Sequence, residues 1–288
     1  MKIGFSLLNN WGFADPHALV DLAVRAEAAG LDSVWVHDHV FNVAHVFERI
    51  GGRPYYEPLT LLSYVAARTE RVQLGTSVLV LPYHNPIRLA KAAATLDVLS
   101  RGRLILGVGV GAVENEMEAM GTPFKTRGAF TDEAIAAMRV LWRDEDPVFT
   151  GTYARFAGMK FSPKPLQRSI PLVIGGVSDA AIRRAARLGD GWQPLGLSPD
   201  QVKDGMAKLA REAAAVGRDV AAIPVSLALS IARPGRRFAL GTTAAELAAH
   251  AKTFADLGVE TLIVSATTSD PREAQAALAM VAGAVRPS

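Results

Sequence analysis

Short runs of β-branched and other apolar residues alternate along the chain with longer stretches in which apolar side chains recur at helical spacing and a glycine closes the segment, the pattern of repeated strand–helix units. Eight runs read as strands: residues 2–8, 33–37, 72–79, 104–108, 172–174, 191–193, 224–231 and 261–264. They are apolar at successive positions, as parallel strands covered on both faces are. The stretches between them read as helices. Asp15-Pro16, Asn85-Pro86, Ser198-Pro199 and Asp270-Pro271 each put a side-chain acceptor at a helix cap and a preset φ in the first turn. Thr243 with Glu246 forms a capping box. The first helix carries Leu19, Leu22, Ala26 and Ala29 on one face and stops at Gly30.

Eight such units in 288 residues predict an α/β fold, a closed (β/α)8 TIM barrel, with an open doubly wound sheet as the alternative. Two stretches are inserted. Residues 109–127 follow strand 4, and residues 144–169 precede strand 5, where Pro147, Gly151, Gly158, Pro163 and Pro165 break any helix and predict a hairpin or lid. No linker or longer repeat divides the chain, so residues 1–288 read as one domain.

Composition narrows the function. The absence of cysteine removes disulfides, thiol nucleophiles and iron–sulfur clusters. The 31 Lys and Arg residues against 28 Asp and Glu residues leave a net charge of +3 with no basic block, which argues against nucleic acid. No apolar run reaches the length of a membrane span and no leader precedes the first strand, so a cytoplasmic protein without membrane partners is expected.

In a barrel of this kind chemistry sits just after each strand. After strand 2 comes His37-Asp38-His39, the densest titratable cluster of the chain. On a continued strand the two histidines would share a face, as in a two-histidine metal site, but the remaining histidines supply no second cluster, and no metal is assigned. Turn residues satisfying backbone are the plain alternative; the reading preferred is an acid/base pair of His39 and Asp38. Strand 5 runs through Gly175-Gly176-Val177-Ser178 into a helix, where bare backbone N–H groups can face an anion or simply make a tight turn. Gly107, Gly109 and Gly111 alternate after strand 4 and admit something flat, yet their spacing is not that of a dinucleotide fold. Thr76, Ser77 and Val78 interrupt apolar strand 3 and hint at a bulge.

In order and spacing, Gly4-Phe5, the stretch from Ala28 to Trp35, Asp38-His39, the stretch from Leu89 to Gly109, Pro163 to Gln167, Gly175-Gly176 and Asp190-Gly191-Trp192 resemble the luciferase-like monooxygenase superfamily over nearly the whole chain. Asp38-His39 is similar to the branch that uses the deazaflavin coenzyme F420. The resemblance implies an F420-dependent oxidoreductase that exchanges a hydride with a small organic substrate, as a homodimer. An FMN-dependent monooxygenase and a non-catalytic flavin- or deazaflavin-binding protein are the alternatives. It further implies that Ser77-Val78 form a bulge behind the ring, often with a cis peptide, and that Gly107 to Gly111 line the cofactor. Gly175 to Ser178 would hold its phosphate, and Arg127 would neutralise phosphate or the acidic tail, unless it only makes a surface salt bridge. His39 would handle a proton, with Asp38 fixing its tautomer. Trp35, Trp11, Phe41 and Trp192 are candidate pocket walls. Ala112 stands where the sugar-phosphate dehydrogenases of that branch carry a glutamate, which counts against a sugar phosphate as substrate.

Overall fold

The computed structural model describes residues 1–232 and 237–285. Its strands, in chain order, are β1 (Lys2–Ser6), β2 (Ser33–Val36), β3 (Gln73–Val80), β4 (Leu104–Gly109), β5 (Phe149–Thr150), β6 (Arg155–Phe156), β7 (Leu172–Gly175), β8 (Gly191–Gln193), β9 (Ser226–Ser230) and β10 (Thr261–Ser265). The helices are α1 (Pro16–Ala28), α2 (Ala44–Ile50), α3 (Pro58–Ala66), α4 (Pro86–Leu99), α5 (Glu114–Ala119), α6 (Arg127–Arg143), α7 (Asp179–Leu188), α8 (Pro199–Ala215), α9 (Ala244–Asp256) and α10 (Pro271–Val285).

Eight strands pair in parallel in the order β8-β7-β4-β3-β2-β1-β10-β9. Parallel bridges Trp192 to Val225 and Leu195 to Ala228 then join β8 to β9, so the ring closes. An open doubly wound sheet would leave its two outer strands apart, and that alternative is excluded. All eight expected strands are present, with ends that differ by one to two residues; β2 stops at Val36, so His37 already lies in the loop.

The caps account for the helix starts. Asp15 accepts from the His17 N–H, Asn85 from those of Ile87 and Arg88, and Asp270 from that of Arg272. Ser198 with Gln201 and Thr243 with Glu246 form full capping boxes. Helix α1 ends at Ala28, and Gly30 follows at φ +77°, a turn that favours glycine.

The expected insert 144–169 contains the β5–β6 hairpin, and the insert 109–127 contains α5. A third insert, residues 37–57, carries α2 and rises over the same end of the barrel. The main core lies between the sheet and the outer helices. Inside the barrel Trp35 packs with Ala228, Ile263 and Ile105 and donates from Nε1 to Ser33 Oγ at 2.8 Å. Gly4 and Gly75 on the flanking strands leave room for that indole, since a Cβ on either would collide with it.

Candidate active site

The C-terminal ends of the strands open on a cavity of about 350 Å³ whose wall includes Ser6, Asn10, Trp11, His37, Arg49 and Ser77. That volume is within the range of small-molecule sites. A second depression, of about 430 Å³, lies among Arg139, Arg187 and Arg218 at the other end of the barrel, where Arg139 and Arg218 bond the last carbonyls of α7.

The cavity floor is the β3 bulge. Register between β3 and β4 shifts between Thr76 and Leu79, and the Ser77–Val78 peptide is cis. Thr76 is buried and donates to the Gly107 carbonyl at 2.8 Å. The Val78 side chain slots between β4 and β7: a Cβ on Gly109 would stand 2.8 Å from it, and one on Gly175 2.7 Å. Gly111, at φ +75°, faces Val80 and Met117 in the same way. Gly107 abuts the Thr76 carbonyl, where any Cβ would collide. The alternate glycines thus let β3 and β4 approach around the bulge.

His37 braces this floor. Its Nδ1 donates to the Ser77 carbonyl at 2.7 Å, and Nε2, 2.8 Å from Ser6 Oγ, accepts the serine proton. Burial pushes its pKa down to about 4, helped by Arg49 and His39 and opposed by the bond to Ser77. Asn9 clamps the His37 backbone from both sides, accepting from its N–H and donating to its carbonyl.

Asp38 and His39 part company. The Asp38 carboxylate accepts from the Val80 N–H at 2.9 Å and from His84 Nε2 at 2.8 Å. Burial depresses His84, but the hydrogen bond and charge of Asp38, with Glu57 behind them, outweigh it and raise its pKa. His39 Nδ1 instead donates to Glu116 Oε2 at 2.6 Å. Glu116 Oε1 accepts from the N–H groups of Val40 and Phe41, and Tyr83 Oη donates to Oε2 at 2.8 Å. The Glu116 side chain is fully enclosed; burial raises its pKa, and the bonds from His39, Phe41 and Tyr83 more than offset that and lower it. The carboxylate that fixes the His39 tautomer is therefore Glu116. Asp38, expected in that place, ties the end of β2 to the end of β3. Glu116 was missed because it lies 77 residues away in an insert without strand or barrel-helix pattern.

His37 and His39, expected on one face, turn to separate partners, and among the described residues no three metal-ligating side chains converge. At the start of α7 the Gly176 N–H is taken by the Gln193 carbonyl at 3.2 Å, and Ser178 caps the helix. The N–H groups of Val177, Ser178 and Asp179 remain open. Arg127 opens α6, whose first turns abut α7 through Arg184 and Asp132. Its guanidinium stacks on Phe124 at 3.7 Å and donates to the Phe124 carbonyl; Nε is buried without a partner, and it makes no salt bridge among the described residues. Beside Gly107, Gln193 is 3% exposed and neither amide atom finds a partner. Of the four candidate wall aromatics, Trp11 lines the cavity, Trp35 and Trp192 are core, and Phe41 is about half exposed on the mouth loop.

A model of the family described as luciferase-like monooxygenase matches residues 1–234. The chain belongs to that family. Among its curated relatives is the F420-dependent glucose-6-phosphate dehydrogenase of Amycolatopsis mediterranei, 40% identical over 181 residues, which cover 62% of this chain and 53% of the relative. The chain thus spans about half the length of the curated dehydrogenases it matches. In fold it is similar to an F420-dependent secondary alcohol dehydrogenase solved with an F420–acetone adduct, with TM-score 0.84 and 21% identity over 99% of both chains. It is also similar to the monooxygenase RslO1 from Streptomyces bottropensis, with TM-score 0.80 and 22% identity over 98% of both. An F420-dependent dehydrogenase and a monooxygenase thus share this fold.

Proposed function

We propose that the chain is an F420-dependent oxidoreductase that moves a hydride between the deazaflavin and a small alcohol or carbonyl compound. The observation that carries this reading is the His39–Glu116 pair, whose imidazole packs 5.3 Å from the ring of the cavity-lining His45. With Nδ1 bonded to an enclosed carboxylate, His39 Nε2 has no hydrogen-bond partner among the described residues, and its side chain is 20% exposed. That leaves one ring nitrogen to exchange a proton. The 40% identity with an F420-dependent dehydrogenase supports the choice of cofactor.

The residues present fit such a cofactor. Gln193 offers an unsatisfied amide inside the barrel, where a buried polar group without partners is costly. The open N–H groups of Val177, Ser178 and Asp179 at the positive end of α7 suit a phosphate, with Arg127 at the neighbouring helix start. Thr76, Ser77 and Val78 would back the ring, and the stretch from Gly107 through Gly109 to Gly111 would flank it, with Gly175 and Gly176 completing the wall. When bound, the deazaflavin supplies the hydride acceptor or donor. His39 Nε2 takes the hydroxyl proton of an alcohol in the oxidative direction and returns it to the carbonyl oxygen in the reductive one. Glu116 stabilises the imidazolium this creates, and Tyr83 with the N–H groups of Val40 and Phe41 keeps that carboxylate ionised. The working unit is taken as a cytoplasmic homodimer.

Titration of the purified chain with F420, FMN and FAD under identical conditions tests the reading. F420 is expected to bind at least about tenfold more tightly than either flavin, about 1.4 kcal/mol. Tighter binding of FMN makes the chain a flavin monooxygenase instead, and binding of F420 without oxidation of any alcohol probe or reduction of any carbonyl probe leaves a binding protein.

A further inference from the structure

Two arginines line the cavity, Arg49 on α2 and the exposed Arg237, and Arg49 is the partly buried one. The other partly buried arginines are all engaged: Arg103 with Thr69 and neighbouring carbonyls, Arg127 with Phe124, Arg139 with Asp190, Arg184 with Asp132, and Arg218 with carbonyls of α7. Among the described residues Arg49 is the partly buried arginine that makes no hydrogen bond and no ion pair. Its Nε is buried and orphaned, although an enclosed guanidinium normally finds an acceptor for its fork of donors. It does not cap its own helix, because the Ile50 carbonyl is taken by Arg53. What holds it is the face of Trp11, with the guanidinium carbon 5.2 Å from the ring centroid. Asn10 Oδ1 is likewise buried without a partner in the same cavity, and His45 lines it beside His39 at a ring distance of 5.3 Å.

A cation held against an aromatic face, without a hydrogen-bond or ion-pair partner among the described residues, in a cavity whose His45 packs against the ring of His39, is arranged for an anion that arrives with the substrate. We infer that the substrate carries an anionic oxygen group, a carboxylate or a phosphate ester, which Arg49 binds while the alcohol or carbonyl carbon lies towards His39. This rests on the cavity being the substrate site of the oxidoreductase proposed above. It makes Arg49 a specificity-determining residue.

Trp11 supplies the readout. The chain has four tryptophans, and Trp35, Trp142 and Trp192 are at most 1% exposed, so emission that responds to small solutes reports Trp11 beneath Arg49. The cofactor-free chain is titrated with cyclohexanecarboxylate, cyclohexyl phosphate and the neutral cyclohexanecarboxamide. At least one anion should bind about tenfold or more tightly than the amide, and the tighter of the two identifies the group. In R49Q the preference should vanish while the affinity for F420 stays within about threefold and the thermal midpoint is kept. R49K, which keeps the charge but not the fork, should retain a reduced preference, and it serves as the test if R49Q does not fold. Equal binding of the amide and both anions to the wild type, or an undiminished preference in a folded R49Q, overturns the inference. A folded R49Q that loses F420 affinity tenfold or more reassigns Arg49 to the cofactor and overturns it too. If the wild type itself fails to bind F420, the cofactor reading falls, while the comparison of anion with amide still stands on its own.

Discussion

The proton transfer proposed for His39 requires its other ring nitrogen to be held, and that hold comes from Glu116. Loss of a positioned proton-transfer group lowers rates by about 10²–10⁴. H39A should therefore lower single-turnover hydride transfer at saturating cofactor by at least about a hundredfold and leave cofactor affinity within about tenfold. E116Q keeps the shape and hydrogen-bonding reach but removes the charge that favours the imidazolium. It should cost about ten- to a hundredfold in the single-turnover rate while cofactor affinity stays within about tenfold. Normal turnover in H39A with lost cofactor binding would make His39 part of the binding wall; an unchanged rate in E116Q would remove Glu116 from the proton pathway. The histidine itself was legible in the sequence, since Asp38-His39 follows a strand end, but its partner was not. Adjacent residues on an irregular loop point in different directions, so proximity along the chain assigned Asp38 a role that folding gave to Glu116.

The strand–helix alternation was readable at the scale of elements because each βα unit carries local signals: an apolar run, a capping acceptor and a closing glycine. Elements without such signals escaped. Helix α2 spans seven residues, and its N-cap Val43 has no capping side chain, so nothing in its composition separates it from loop. The insert before β7 was recognised from its prolines, yet what shapes its hairpin is a remote carboxylate: Glu133 on α6 accepts from the N–H groups of Thr152, Tyr153 and Ala154. Burial tends to raise the Glu133 pKa, and those three bonds lower it overall. E133A leaves three turn amides to water. Their hydrogen exchange should accelerate by about tenfold or more, with the barrel strands unaffected and cofactor affinity unchanged. Exchange at residues 152–154 equal to that of the wild type would show that the β5–β6 pairing alone holds the turn.

Closure of the ring is a property of the whole molecule, and His37 contributes to it by joining three strands. It sits just past β2, bonds Ser6 at the end of β1, and bonds Ser77 in the β3 bulge. Both bonds use the neutral imidazole, with one nitrogen donating and the other accepting, and a second proton would force the one to Ser6 to reverse, Ser6 Oγ then accepting. Its folded pKa of about 4 lies below the ordinary 6.5 of an unfolded histidine. Between those values the unfolded chain binds a proton that the native barrel refuses. Stability is thus fully expressed above about pH 6.5 and falls as the pH drops towards 4, by up to about 3 kcal/mol from this residue alone. Carboxylates such as Glu27, held low by backbone bonds that outweigh its burial, add their own acid loss, so the slope of the wild type alone does not isolate the histidine. H37N removes the titration and leaves the carboxylates in place. Urea unfolding between about pH 7 and pH 4.5 should show the variant less stable than the wild type at neutral pH but losing less on acidification, so that the two curves converge. Parallel curves across that range would mean that the barrel tolerates the imidazolium and that His37 does not couple closure of the ring to pH.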